Sequence, residues 1–103
     1  MMKLLTEKLR KSIPKLYETE TVEGPEKVAQ VKLFLPGTPW TWYLIEYDGE
    51  DHCFGLVDSG MDYGGVEFGY FSIKEIEGLK SPWGLKVERD LHWEPTKIDY
   101  IRA

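Results

Sequence analysis

Residues 40–71, WTWYLIEYDGEDHCFGLVDSGMDYGGVEFGYF, decide the fold of this chain. Three runs rich in Trp, Tyr, Phe, Val, Ile and Leu, at 40–47, 53–58 and 66–71, are separated by clusters of Gly and Asp. Aromatic and β-branched residues favour strands, whereas Gly and Asp favour the turns between them. The stretch therefore predicts a meander of antiparallel strands.

The alternation of apolar residues predicts where these strands lie. Residues 28–35 alternate, which is typical of a half-buried strand. The run 40–47 is apolar on both faces, with Trp42 and Leu44 on one and Tyr43, Ile45 and Tyr47 on the other. A strand of this kind is expected at the centre of a sheet or covered on both sides. Gly55, inside the run 53–58, indicates a bulge or a close neighbour.

Two short helices are predicted from capping signals. Thr6 is placed as the N-cap of a helix over residues 6–12, and Ser72 forms a capping box with Glu75. The tail contains Ile98, Tyr100 and Ile101, and either forms a last strand or docks on the sheet. The expected fold is α+β: an antiparallel sheet of four to five strands with two short helices packed mainly on one face.

Length and composition indicate a single domain over residues 1–103. The 42% apolar and 30% charged content is that of a globular protein and not of a disordered one. The one cysteine, Cys53, cannot form an internal disulfide, and charged residues interrupt the apolar runs at the amino terminus. We therefore expect a cytoplasmic protein with no signal peptide and no membrane contact.

The charges are unevenly distributed along the chain. The formal net charge is −5, and no Lys or Arg occurs in residues 33–73. That stretch carries the acids Glu46, Asp48, Glu50, Asp51, Asp58, Asp62 and Glu67. It predicts an acidic, aromatic β-surface. Nucleic-acid binding would need the basic residues near the start, Lys3, Lys8, Arg10, Lys11 and Lys15, and the overall charge argues against it.

Arg89 is the charged residue that tells most about a possible site. If residues 87–93 form a strand, alternation places Arg89 between Val87 and Leu91 on the apolar face, where a guanidinium needs a carboxylate partner. We expect that partner to be Glu46 or Glu67. An ion pair that fixes strand register is favoured over an anion-binding site. If the segment is instead helical, Arg89 is solvated.

The remaining candidate binding residues are Asp90, His92 and Trp42. Asp90 and His92 follow Arg89 in the chain, and Trp42 belongs to the aromatic residues that could stack on a base or a sugar. Such stacking normally accompanies a cationic groove, which this stretch lacks, so core packing is the better account of the aromatic residues.

We expect no metal and no cofactor. A zinc site needs three or four convergent ligands, and the adjacent His52 and Cys53 point to opposite faces of a strand. His92 would have to come from a distant segment. Cys53 is interpreted as a core residue and not as a nucleophile. The Gly-rich loop 59–65, which contains Asp62, fits neither a calcium loop nor a phosphate loop and is interpreted as a turn.

The motifs resemble those of a family of small, mostly bacterial proteins catalogued as domain of unknown function 2958. The matching pieces are Leu4-Leu5, Ile13-Pro14-Lys15-Leu16-Tyr17, Thr41-Trp42-Tyr43, Phe54-Gly55-Leu56-Val57, Gly69-Tyr70-Phe71-Ser72 with Glu75, and Gly84-Leu85 with Glu88-Arg89-Asp90-Leu91-His92. Trp93 stands where Phe is more usual. The resemblance implies no catalytic residues; it implies an accessory role on plasmids and other mobile elements.

Two functional hypotheses follow. The first is a non-enzymatic protein-binding or accessory module that meets a partner with a basic surface, with an acidic DNA mimic as a variant. The alternative is a small hydrolase or lyase that uses Glu46 or Glu67 with Arg89. The protein is expected to be a monomer or a homodimer.

Overall fold

The sheet at the centre of the molecule has five antiparallel strands. A computed structural model describes residues 3–61 and 65–102, so Asp62 and its two successors in the predicted Gly-rich loop lie outside the described residues. The elements are α1 (Glu7–Ser12), a 3₁₀ turn (Gly24–Glu26), β1 (Val28–Ala29), β2 (Val31–Phe34), β3 (Thr41–Tyr47), β4 (His52–Asp58), β5 (Val66–Ser72), α2 (Ile73–Glu77), β6 (Glu88–Arg89), β7 (Thr96–Lys97) and α3 (Ile98–Arg102). The strand order is β5-β4-β3-β2-β6, and β1 pairs separately with β7. The predicted α+β class and antiparallel meander are confirmed.

Strand β3 occupies the middle of the sheet, as its apolar faces predict, and it contains a bulge. Leu44 pairs with Gly55 and Glu46 with Phe54, so Ile45 is an extra residue in the ladder. A bulge of this kind shifts the alternation by one residue. Tyr47 consequently packs in the core cluster that contains Leu44, and not in the cluster of Ile45. The predicted face of Tyr47 is therefore wrong.

Gly55 is required opposite this bulge. A Cβ atom at residue 55 would collide with the carbonyl oxygen of Tyr43. The main chains of β3 and β4 therefore approach each other more closely than any side chain allows, which confirms the close neighbour expected at Gly55, while the bulge itself lies in β3.

Both predicted helices lie on the same face of the sheet. Ile73 and Ile76 of α2 are buried in one core cluster with Leu33, Leu44 and Trp42, and α1 packs on that cluster through Leu9. Thr6 and Ser72 are confirmed as the N-cap residues. The hydroxyl of Thr6 accepts a hydrogen bond from the amide of Leu9 at 3.2 Å, and that of Ser72 from the amide of Glu75 at 3.1 Å.

The opposite face is covered by the carboxyl-terminal segment. Ile98 of α3 is completely buried in a second cluster with Ala29, Ile45 and Leu56. The indole of Trp93 packs on this cluster and donates to the carbonyl oxygen of Ala29 at 3.0 Å. The tail was predicted to form a strand or to dock. It does both, and then forms the helix α3, which the sequence pattern did not indicate.

The predicted strand over residues 87–93 is correct only for Glu88–Arg89. Beyond Arg89 the chain turns, because the amide of His92 donates to the Asp90 carboxylate at 2.9 Å and the amide of Trp93 to the Asp90 carbonyl at 3.2 Å. The turn leaves Leu91 65% exposed instead of on the apolar face. None of the helices in the described part of the chain is long and apolar enough to span a membrane.

Candidate functional site

The predicted pairing of Arg89 with Glu67 does not occur. Arg89 pairs with Leu33, Leu33 with Trp42, Trp42 with Val57 and Val57 with Glu67, in one row across the sheet. Four strand spacings separate the ends of this row, which is about 19 Å at ~4.8 Å per spacing. Arg89 and Glu67 therefore lie at opposite edges.

The predicted pairing with Glu46 is also wrong, because the bulge turns Glu46 to the other face. Glu46 pairs with Phe54, which packs on the cluster of Ile45, whereas Arg89 lies beside Leu33 on the opposite side. The guanidinium Nη1 donates to the carbonyl oxygens of Lys3 at 3.0 Å and Leu4 at 2.7 Å. These bonds hold the amino-terminal segment on the sheet.

Glu46 is the anchor of a different segment. Its carboxylate accepts hydrogen bonds from the amide of Tyr17 at 2.8 Å, the amide of Thr19 at 3.0 Å and the hydroxyl of Thr19. The side chain is buried, and burial acts to raise its pKa. The bonds from Thr19 and Tyr17 and the charge of Lys27 outweigh burial, so the pKa of Glu46 is lowered overall. Glu46 is therefore a buried carboxylate that favours its charged form.

The segment held by Glu46 is strongly acidic. We call residues 18–26, ETETVEGPE, the acidic segment; its glutamates are Glu18, Glu20, Glu23 and Glu26. All four are exposed. Tyr17 precedes it with a φ of 69°, a left-handed conformation that is uncommon outside glycine. Lys27 closes the segment by donating to the carbonyl oxygen of Thr19 at 2.6 Å.

An aromatic cluster, defined as Tyr17, Phe54, Phe68 and Tyr70, lies beside the acidic segment. Ring centroids are 6.4 Å apart for Tyr17 and Tyr70, 5.1 Å for Tyr70 and Phe54, and 5.8 Å for Phe54 and Phe68. Tyr17 is 61% exposed and Tyr70 58%. The cluster therefore presents two tyrosines to solvent above a stacked, partly buried pair of phenylalanines.

The acidic segment and the aromatic cluster form one continuous surface. A Cβ atom at Gly24 would lie 3.2 Å from the ring of Phe68. Partial desolvation, the adjacent Tyr17 hydroxyl and the negative charges of Glu46 and Glu20 raise the pKa of Tyr70. The sequence analysis did not single out this segment, although four glutamates in nine residues are a visible signal.

Several acidic residues of the meander build turns and caps. One oxygen of the Asp48 carboxylate accepts the amides of Glu50, Asp51 and His52 at 2.8, 2.8 and 3.1 Å, which builds the β3–β4 turn. The Asp51 carboxylate accepts the Ser72 hydroxyl and the amide of Lys74, each at 2.8 Å. Asp48, Glu50 and Glu67 are exposed. Glu67 lies on β5 opposite Val57, on the other face of the sheet from Phe68.

Three predicted site residues do come together, at the other edge of the sheet. Arg89, Asp90 and His92 line a groove of about 540 Å³ with Lys32, whose ammonium lies 3.9 Å from the Asp90 carboxylate. Trp42 is 5% exposed, packs in the core and stacks on the exposed ring of Trp40, so it is not available to a ligand. The groove contains neither Glu46 nor Glu67.

The described residues provide no metal centre and no activated thiol. Among residues 3–61 and 65–102, no three His, Cys, Asp or Glu side chains lie close enough together to hold a metal ion. Cys53 is fully buried, and burial, helped by the charges of Asp48 and Asp51, raises the pKa of its thiol. A thiol in this environment is a small apolar core residue and not a nucleophile.

Fold and surface together define a small α+β protein built on an antiparallel meander. Residues 4–101 match the family described as protein of unknown function (DUF2958), and the chain belongs to this family. The resemblance seen in the sequence motifs is thereby confirmed. Neither the curated proteins nor the solved structures contain a match to this chain.

Proposed function

We propose that this protein is a binding module that takes a basic protein partner on the surface formed by the aromatic cluster and the acidic segment. The observation that carries the proposal is the exposure of Tyr17 and Tyr70 next to the glutamates of a segment that buried Glu46 holds in place. Tyrosine is enriched at interfaces because it offers a large apolar area and a polar tip.

The charge of this surface selects the kind of partner. The glutamates of the acidic segment attract lysine and arginine, which increases the association rate and disfavours acidic partners. The surface is also held in advance of binding, because Glu46 accepts the backbone amides of Tyr17 and Thr19 and the hydroxyl of Thr19. Less conformational entropy is then lost on association.

The geometry argues against the hydrolase or lyase alternative. That mechanism needs Arg89 within reach of Glu46 or Glu67. Arg89 lies on the opposite face of the sheet from Glu46 and at the opposite edge from Glu67. The carboxylate of Glu46 already accepts the amides of Tyr17 and Thr19, so it is not free to act as a general base.

Charge-reversal variants test the proposal against purified basic proteins and acidic proteins of similar size. Glu20→Lys combined with Glu23→Lys removes the attraction at the proposed surface. Glu7→Lys combined with Glu50→Lys makes the same change in net charge at exposed sites elsewhere. We expect the first pair to weaken binding of basic proteins at least tenfold and to reduce its salt dependence, while the control pair has little effect.

Equal effects of the two pairs would contradict the proposal, because they would show that only net charge matters. A preference for DNA-binding proteins over other basic proteins would support the DNA-mimic variant.

A further inference from the structure

We infer that the outer edge of β5 accepts an extended basic segment of the partner as an added strand. The inference rests on the proposed function, since this edge borders the same surface, and it specifies how the partner is bound. Strand addition at an exposed sheet edge is a general mode of peptide recognition, in which main-chain hydrogen bonds give affinity and alternate side chains give specificity.

The outer edge of β5 is seven residues long and pairs with no strand among residues 3–61 and 65–102. On their inner side all seven residues, Val66–Ser72, pair with β4. The hydrogen bonds from the amide of Ser59 to the carbonyl of Gly65 and from the amide of Ile73 to that of Asp51 bracket the ladder at 2.7 and 3.0 Å.

Alternation between these two bonds sets the direction of every main-chain group in β5. Glu67, Gly69 and Phe71 bond to β4. Val66, Phe68 and Tyr70 direct their N–H and C=O groups outward, where an incoming strand can bond to them. The N–H of Ser72 also points outward, but its carbonyl group begins α2.

β5 also lacks the features with which proteins usually protect an edge strand. It contains no Lys and no Pro, and its one charged residue is Glu67. The opposite edge of the sheet is different, because β6 has only two residues and the turn at Asp90 ends it. Long, apolar, unprotected edges pair readily with another chain.

The side chains along this edge belong to the proposed binding surface. Phe68 and Tyr70, which direct main-chain groups outward, are members of the aromatic cluster. An added strand would therefore place every second side chain beside the aromatic cluster and the acidic segment. The other side chains would lie beside Glu67 and Gly69, and a Cβ atom added at Gly69 meets no other atom within 4 Å, so that side has space.

The charge around the edge favours a basic occupant. Glu67 lies on β5, and Gly24, which follows Glu23 in the acidic segment, contacts Phe68. Lysine or arginine at every second position of an added strand would meet the acidic segment and lie over the tyrosine rings, while the positions between them would face Glu67. A second copy of β5 would bring its own Glu67 and acidic segment to the same place, so repulsion disfavours self-pairing.

Synthetic peptides of nine residues with alternating Lys and Val test this inference. Two derivatives keep the charge and the side chains, but carry N-methyl groups on the main-chain nitrogens of all the Lys or of all the Val residues. In a strand these two sets of amides point to opposite edges, so only one set can pair with β5. We expect the two derivatives to differ in affinity by about tenfold or more, with the unmodified peptide equal to the better one.

Amide exchange provides an independent readout on the unmodified protein. In the free protein the amides of Phe68 and Tyr70 should exchange rapidly and those of Glu67 and Gly69 slowly; the unmodified peptide should slow Phe68 and Tyr70. Salt-sensitive binding with equal affinities of the two derivatives and no added protection would overturn strand addition and leave the proposed function standing. A dimer of the free protein with Phe68 and Tyr70 already protected would overturn the basic occupant in favour of a second copy. If no peptide binds, while basic proteins still bind through the acidic segment, the edge is not used.

Discussion

Glu46 carries its charge inside the protein because three hydrogen bonds replace the water that it loses on folding. Replacing it with Gln keeps the shape and removes the charge that strengthens these bonds. We expect Glu46→Gln to lower the free energy of unfolding by about 1–3 kcal/mol, measured by urea denaturation. Glu67→Gln, at an exposed position, is the matched control and should change stability by less than about 0.5 kcal/mol.

The same residue gives a pH dependence with a definite sign. Because the pKa of Glu46 is lowered in the folded protein, its charge contributes stability that is fully present above the pKa of an unfolded glutamate, about 4.3. That contribution is lost as the pH falls through the lower, folded value. The stability difference between the parent protein and Glu46→Gln should therefore be constant near neutral pH and shrink below about pH 4. A difference that grows in acid would contradict this.

Tyr47 is the opposite case, because its buried hydroxyl forms no hydrogen bond with any residue that the structure describes. Its side chain is 1% exposed. Because an unsatisfied buried hydroxyl costs about 1–3 kcal/mol, Tyr47→Phe should leave stability unchanged or raise it by up to about that amount. Tyr47→Ala, which also removes the ring, should cost about 3–5 kcal/mol. Thermal unfolding measures both, and a large loss in Tyr47→Phe would mean that the hydroxyl has a partner.

At the scale of the elements, β4 and β5 contain a matched pair of glycines. Gly55 and Gly69 pair directly across the two strands, yet their surroundings differ. A methyl group at Gly55 would collide with the Tyr43 carbonyl, whereas one at Gly69 meets nothing within 4 Å. Gly55→Ala should therefore destabilise by about 1–3 kcal/mol or more, and Gly69→Ala should be neutral or stabilising by about 0.4–1 kcal/mol. Equal losses in denaturant unfolding would contradict the close approach at Gly55.

Elements whose ends are encoded locally could be predicted from the sequence. Thr6 and Ser72 act within their own first helical turn, so a capping motif is sufficient to find them. The bulge in β3 could not be found in this way, because it is a property of two strands, and it reversed the predicted face of Tyr47. The helix α3 has only five residues, and burial of Ile98 against a distant part of the chain accompanies it.

At the scale of the whole molecule, strand order decides which predicted site residues meet. Arg89, Glu46 and Glu67 were each identified as informative, but one sequence contains no distance between strands. The order β5-β4-β3-β2-β6 separates Arg89 from Glu67 by the full width of the sheet. The hydrogen bonds from the amides of Tyr17 and Thr19 to Glu46 could not be predicted either, because these residues are 29 and 27 positions away from Glu46 in the chain.

Arg89 connects the sheet to the amino-terminal segment, and its replacement should loosen that segment. Arg89→Met keeps the aliphatic stem and removes the donor to the carbonyls of Lys3 and Leu4. We expect a loss of about 1.5–3 kcal/mol, since hydrogen bonds to charged groups are worth that much, with faster amide exchange and proteolysis before α1. Lys8→Met removes an exposed positive charge and serves as the control. If the two variants behave alike, the guanidinium does not hold this segment.

The pairing of β1 with β7 has a consequence for the order in which the protein assembles. The strands of the meander join neighbours along the chain, whereas β1 and β7 join Val28 to Lys97 and so close a very long loop. The entropy lost in closing a loop rises with its length, so contacts between near neighbours usually form first. The meander should therefore belong to the folding nucleus. The small sheet and the Ile98 side of the core should then consolidate after the rate-limiting step.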